Sequence, residues 1–154
     1  MENRSNAVAD ARIAVNTNTV VQFREEWRLA REAHRDLQIM GTPQTNLLLI
    51  GGAGAIRIVM EMLWLELREP ILTRRSGQPL ELPAPGRAST MVLHDVHELT
   101  RDDQQSLLRW LDQTNGRIRV VCTTRESLWP RVMAGGFNDA LYYRLNTVCV
   151  DLTD

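Results

Sequence analysis

Gly51, Gly52 and Gly54 sit between the apolar run NLLLI and a long apolar stretch, so LLLIGGAGAIRIVMEML has a strand, glycine loop, helix order. In that order backbone amides and a helix N-terminus can cradle a phosphate. The phosphate-loop pattern is G-x-x-x-x-G-K-[ST]. Counted from Gly51, it puts Ile56 at the second glycine, Arg57 at the lysine and Ile58 at the hydroxyl. Ile56 removes the close backbone approach, the Arg57 fork is bulkier and differently placed than an ammonium, and Ile58 cannot ligate magnesium. Two readings stay open: a glycine turn that only joins strand to helix, or residual ATP or ADP binding through Gly51, Gly52, Ala53, Gly54, Ala55 and Arg57.

A second cluster is MVLHDVHEL. An acidic pair ending a strand would hold magnesium and orient a water, but His94 occupies the first place and only Asp95 is acidic. His94, Asp95, His97 and Glu98 match no established zinc spacing, so they are expected to cap a strand end rather than bind a metal.

The elements that must position these groups follow from periodicity. Residues 1–18 have no sustained period and are expected to form a flexible leader, followed by a single domain over 19–154. A helix is expected from Val20, with Thr19 as its cap and Val20, Phe23, Trp27, Ala30, His34 and Leu37 along its apolar stripe. Strands are expected at 46–50, 71–73, 91–93, 118–123 and 147–152. Helices are expected at 58–69, after Thr100, and at 137–145, the second with Thr100 and Asp103 as a capping box. Strands alternating with helices imply an α/β sheet, mostly parallel, with helices on both faces. Ligands in such sheets bind beyond the carboxyl ends of the strands.

The chain has 154 residues and a formal charge of -1, and all 18 of its basic residues are arginine. The absence of lysine excludes Schiff-base chemistry and a lysine-dependent phosphate loop. Near-neutral charge argues against direct DNA binding and against an anionic membrane surface. Arg24, Arg28, Arg31 and Arg35 do lie on one side of the first helix, but Glu25, Glu32 and Asp36 interleave with them, as on a solvated face. Cys122 and Cys149 lie in apolar runs and are expected to be buried, reduced thiols. With no apolar run near the roughly 20 residues of a membrane span, the protein is expected to be soluble and cytoplasmic. Trp27, Trp64 and Trp110 are expected in the core, and Trp129 in a loop.

TMVLHDVHELTRDDQQSLLRWLDQ, RIRVVCTTRESL and GGFNDALYYRLNTVCVDL together resemble the central AAA+ domain of the sigma-54-dependent bacterial transcription activators. The likeness runs from about Val20 onward and is most specific at LYYRLN. It implies a three-layer P-loop NTPase-like fold in which 51–57 replaces Walker A and His94-Asp95 replaces Walker B. It further implies that Arg125 follows Thr124 where a sensor residue stands, that Asn138 replaces the first arginine finger, and that Arg144 retains the second.

The stretch from Arg57 to Thr90 is too short for the family's long insertion, and no GAFTGA string occurs. A chain stopping at Asp154 is expected to lack the helical lid and the DNA-binding domain. These departures all remove one mechanism. The expected function is a non-hydrolysing regulatory and protein-interaction module with no resident cofactor, whose partner is an AAA+ activator or another copy of itself. Its contact residues would be Asn138, Tyr142, Tyr143 and Arg144, since the family's 135–146 segment lies between neighbouring subunits.

Overall fold

The computed structural model describes residues 17–40 and 45–153, with the side chains of 17–21, 23 and 40 outside the description. Five strands form one sheet in the order β2-β3-β4-β1-β5, comprising β1 (Leu47–Ile50), β2 (Ile71–Arg75), β3 (Thr90–His94), β4 (Arg119–Thr124) and β5 (Val148–Asp151). Every adjacent pair is parallel; Leu48 stands opposite both Cys122 and Cys149. Because successive strand residues face opposite ways, the sheet feeds two cores. Leu48, Ile50, Met91, Leu93, Val120 and Cys122 pack beneath α3 (Arg101–Thr114) and α5 (Asp139–Leu145). Leu47, Leu49, Val92 and Val121 pack beneath α1 (Thr17–Met40) and α2 (Ala53–Trp64). This is the expected α/β sheet covered on both faces.

The α1 helix buries Ala30, Ala33 and Leu37, and the small alanines bring its axis close to α2, which presents Ala55, Ile56, Val59, Met60 and Leu63. That close approach leaves no room for an indole between the helices. Trp27 therefore stays on the rim, 44% exposed, rather than entering the core as its spacing suggests. His34 is satisfied on the stripe, its Nε2 lying 2.8 Å from Glu66 Oε1. The arginine face of α1 is a solvated network in which Arg28 bridges Glu25 and Glu32. The helix begins at Thr17, so Thr19 lies inside it rather than capping it, and Thr17 and Asn18 are helical within the expected leader. The remainder of that leader, residues 1–16, lies outside the described residues.

On the opposite face, α3 buries Gln104, Leu107, Trp110, Leu111 and Thr114. The expected cap is present: Asp103 N donates to Thr100 Oγ1 at 3.1 Å. Asn115 and Gly116 end the helix with positive φ values of 51° and 74°. Trp110 is buried as expected, and its Nε1 donates to Pro83 O at 2.7 Å, tying down the connection from β2 to β3. Among the described residues no helix interrupts that connection.

Three further expectations need correction. The second helix runs from Ala53 to Trp64, not over 58–69, because Gly51 and Gly52 alone make the turn and Ala55 and Ile56 already belong to the helical core. Trp129 lies not in a loop but in a short helix, α4 (Trp129–Met133), with Pro130 in its first turn, where a missing N–H costs nothing. Cys149 is exposed rather than buried, since β5 is an edge strand whose alternate residues face outward.

Candidate functional site

The carboxyl ends of β1, β3 and β4 meet at one edge of the sheet. Gly51 N donates to Thr124 O at 3.0 Å, continuing the ladder past β1, and Gly52 caps α2 at φ -67°, ψ 158°. Only Gly51 and Gly52 separate the strand from the helix. Gly51 is held close to β5, for a Cβ there would fall 2.8 Å from Leu152 Cβ. Gly54 lies in the first turn of α2, where a Cβ would collide with the Glu26 carboxylate. That carboxylate, from α1, accepts from Gln22 Nε2 at 3.3 Å. A negative side chain thus lies against the positive end of α2. Ile56 and Ile58 point into the core, 8% and 2% exposed, while Arg57 faces outward and pairs with Glu61 at 3.3 Å.

Past β3 the chain turns through Asp95 in the left-handed region at φ 56° and enters a short 3-10 turn, Val96–Glu98. Asp95 N donates to Thr123 Oγ1 at 3.3 Å, and His94 Nδ1 lies 3.2 Å from the same hydroxyl. His97 Nδ1 lies 3.2 Å from Thr124 Oγ1. These polar groups tie the ends of β3 and β4 together. Burial, aided by the Arg75 charge, pushes the His94 imidazole below its ordinary value and keeps the ring neutral at pH 7. The Asp95 carboxylate takes Arg75 at 2.5 Å and Arg125 at 3.8 Å.

A cleft of about 660 Å³ opens between α2 and these strand ends. Ile56, Met60, Trp64 and Leu65 form its apolar wall; Arg57, Arg75, Arg125, His94 and Asp95 line the rest together with Ala53, Glu61 and Thr123. Trp64, expected in the core, is 44% exposed here: at the last turn of α2 it is Leu63 that enters the core, and Trp64 lines the cleft instead. Of the residues singled out for phosphate binding, the cleft brings together Ala53, Arg57 and Asp95. Gly51, Gly52, Gly54 and Ala55 do not line it. Arg75, Trp64 and Leu65 carried no motif and emerge only from the tertiary arrangement.

The second candidate surface lies on α4 and α5. Asn138 caps α5 by accepting from Leu141 N at 2.9 Å, and its own N donates to the buried Gln104 side chain at 2.7 Å. Tyr142 joins an aromatic row, with its ring 5.7 Å from Trp129 and 5.4 Å from Tyr143. Tyr143 is 63% exposed, and Trp129 and Met133 are exposed beside it. Arg144 pairs with Asp112 of α3 at 2.5 Å at the surface. Tyr143 is thus turned outward, Arg144 lies at the surface against α3, Tyr142 is half-buried against the core, and the Asn138 side chain is engaged in holding the helix start.

A five-stranded parallel sheet in this order, with helices on both faces, is the P-loop AAA+ architecture, and solved structures bear this out. NtrX from Brucella abortus superimposes with a TM-score of 0.65 at 16% identity, covering 89% of this chain and 41% of NtrX. Further NtrX crystals contain ATP or ADP. The P-loop NTPase domain of a sigma-54 activator from E. coli gives a TM-score of 0.50 at 22% identity, covering 71% of this chain and 97% of that domain. The HTH-type transcriptional regulatory protein TyrR of Enterobacter agglomerans is 30% identical over a 74-residue alignment, with 41% of this chain and 14% of TyrR covered. This chain spans less than half the length of NtrX and a small part of TyrR. The sigma-54 interaction domain family matches residues 29–154, and the chain belongs to that family. Among the described residues no helix is long and apolar enough to cross a membrane.

Proposed function

We propose that this chain is a non-hydrolysing regulatory module of the sigma-54 activator family that acts in bacterial transcription regulation by contact. The observation that carries this reading is the junction of β1 and α2. A phosphate loop needs several residues of irregular backbone whose amides converge on the phosphates, followed by the lysine and hydroxyl at the start of the helix. Here the helix begins after two glycines, and the residues at the second-glycine and hydroxyl positions are packed in the core. Glu26 brings a carboxylate to the first turn of the same helix, where it opposes a polyphosphate.

Contact through α4 and α5 fits the chemistry of that face. Aromatic side chains and arginine are enriched where protein surfaces bury one another. Trp129 on α4 and Tyr142, Tyr143 and Arg144 on α5 supply both. The proposed partner is an AAA+ activator domain or a second copy of this chain. Binding would alter assembly of the partner without nucleotide turnover.

The test is calorimetry with Mg-ATP and Mg-ADP, together with phosphate release. The reading expects no saturable heat at millimolar nucleotide and no release above buffer; saturable heat or turnover overturns it. Sedimentation of the chain alone, and mixed with a purified sigma-54 activator AAA+ domain, tests the contact. Association should be lost on Tyr143→Ala with Arg144→Ala.

The second reading is retention of ATP or ADP without hydrolysis. It draws support from the glycine-capped α2 N-terminus, from Arg57 and Asp95 sharing a cleft, and from the nucleotides held by NtrX. It predicts binding that Arg57→Ala weakens.

A further inference from the structure

We propose that the cleft between α2 and the carboxyl ends of β2, β3 and β4 binds a small amphipathic monoanion, an apolar body ending in a carboxylate. This proposal does not rest on the contact function above. At about 660 Å³ the cleft lies in the range of small-molecule sites. Its wall of Ile56, Met60, Trp64 and Leu65 is apolar; Ile56 and Met60 are mostly packed in the core, while Trp64 is 44% and Leu65 91% exposed to solvent. An apolar body laid on this wall removes that area from water.

The opposite side chooses the charge. Arg57, Arg75 and Arg125 face two carboxylates, Glu61 and Asp95, so the lining carries one excess positive charge. Arg125 meets Asp95 only as an ion pair at 3.8 Å, beyond hydrogen-bond distance, and is 66% exposed at its side chain. Its planar fork is therefore available for a bidentate carboxylate. Arg75 gives one N–H to Asp95 and is 59% exposed, leaving further donors beside Arg125. Asp95, only 13% exposed, holds both arginines at the floor. The neighbouring neutral His94 adds no competing charge. A monoanion neutralises this lining, whereas a triphosphate would overload it. The glycines of the β1–α2 turn lie outside the cleft, while Ala53 and Arg57 of the phosphate-loop position line it, so competition with Mg-ATP is part of the test.

The test uses naphthylacetate and its neutral isostere naphthylacetamide, titrated calorimetrically into the whole chain. Saturable binding of the acid is expected, with the amide weaker by about tenfold or more. Arg125→Gln and Arg75→Gln should each weaken the acid about tenfold and leave the amide unchanged, while Trp64→Ala should weaken both. Circular dichroism melts establish that each variant is folded, and the exposure of the two arginines makes them removable. No saturable heat at millimolar acid, equal affinity for acid and amide, or an Arg125→Gln variant that binds like the parent overturns the proposal. Displacement of bound naphthylacetate by Mg-ATP also overturns it, by making the cleft a nucleotide site. Failure of the contact function leaves every one of these readouts unchanged.

Discussion

Replacing Ile58 by threonine puts a hydroxyl at the position where a phosphate loop carries its magnesium ligand, and so sets two accounts of α2 against each other. If α2 opened a phosphate site, Ile58→Thr combined with Arg57→Lys would rebuild half of it. The structure instead buries Ile58 to 2% in the core shared by α1, α2 and the sheet. Losing one methylene there costs about 0.5–1.5 kcal/mol. Exchanging a methyl for a hydroxyl adds the desolvation of a polar group, about 1–3 kcal/mol if unpaired. A helical threonine can return its hydroxyl to the carbonyl one turn back, which places this second cost at its lower end. The sum is about 1.5–2.5 kcal/mol. For a domain of this size that lowers the melting temperature by about 3–10 °C.

Thermal melts followed by circular dichroism, with and without Mg-ATP, read both effects together. A ligand present at about 100 times its dissociation constant would restore about 2.7 kcal/mol, enough to offset the whole loss. The expected outcome is a lowered melting temperature that Mg-ATP does not raise. A variant melting with the parent, or recovering in Mg-ATP, would refute the placement of Ile58 as a core residue without a phosphate role.

Gly51→Ala should cost about 1–3 kcal/mol in urea denaturation, because the new Cβ meets the Cβ of buried Leu152, which cannot swing away. Gly52→Ala, with open space around it and a φ of -67°, should lie within about 0.5 kcal/mol of the parent. Arg144→Ala removes an exposed pair with Asp112 and should change stability by about 1 kcal/mol or less, so any larger loss of association measures the face itself. One thiol, Cys149, should react with a disulfide reagent in the native state, and Cys122 only on unfolding. Burial raises the Cys122 thiol above its ordinary value of 9.0, so the folded form keeps a proton that the unfolded chain releases. Stability should therefore be fully present below pH 9 and fall above it, by about 1.4 kcal/mol per pH unit for this group; denaturation midpoints that fall less steeply from pH 8 to pH 10 in Cys122→Ala than in the parent would check it, the remaining slope coming from Cys149, whose thiol is also raised by burial and by Asp151.

Much of the architecture was legible in local pattern. LLLI and RVVCTT are apolar on both sides, as strands buried on two faces must be, and Thr100 with Asp103 announced the start of α3. The start of α2 was not legible. Three glycines so close together suggest a loop, yet Gly54 sits in a helical turn, with the Glu26 carboxylate of α1 in the space of its missing side chain. Trp27 and Trp64 have core spacing on their helices, but both are 44% exposed, because which side of each helix is covered depends on how α1, α2 and the sheet pack together.

The candidate site divides in the same way. Arg57, Asp95, Tyr142, Tyr143 and Arg144 stand out by type and spacing alone, and the strand-helix alternation places them at strand ends or on the last helix. That Arg75 and Arg125 share Asp95 across three strands follows from the parallel order β2-β3-β4, which no local period encodes. Sequence by itself determined the elements, their order and the absence of a lysine, because these depend on neighbouring residues and side-chain chemistry. Only the tertiary structure decided which wall faces which arginine, because that depends on packing between segments far apart in the chain.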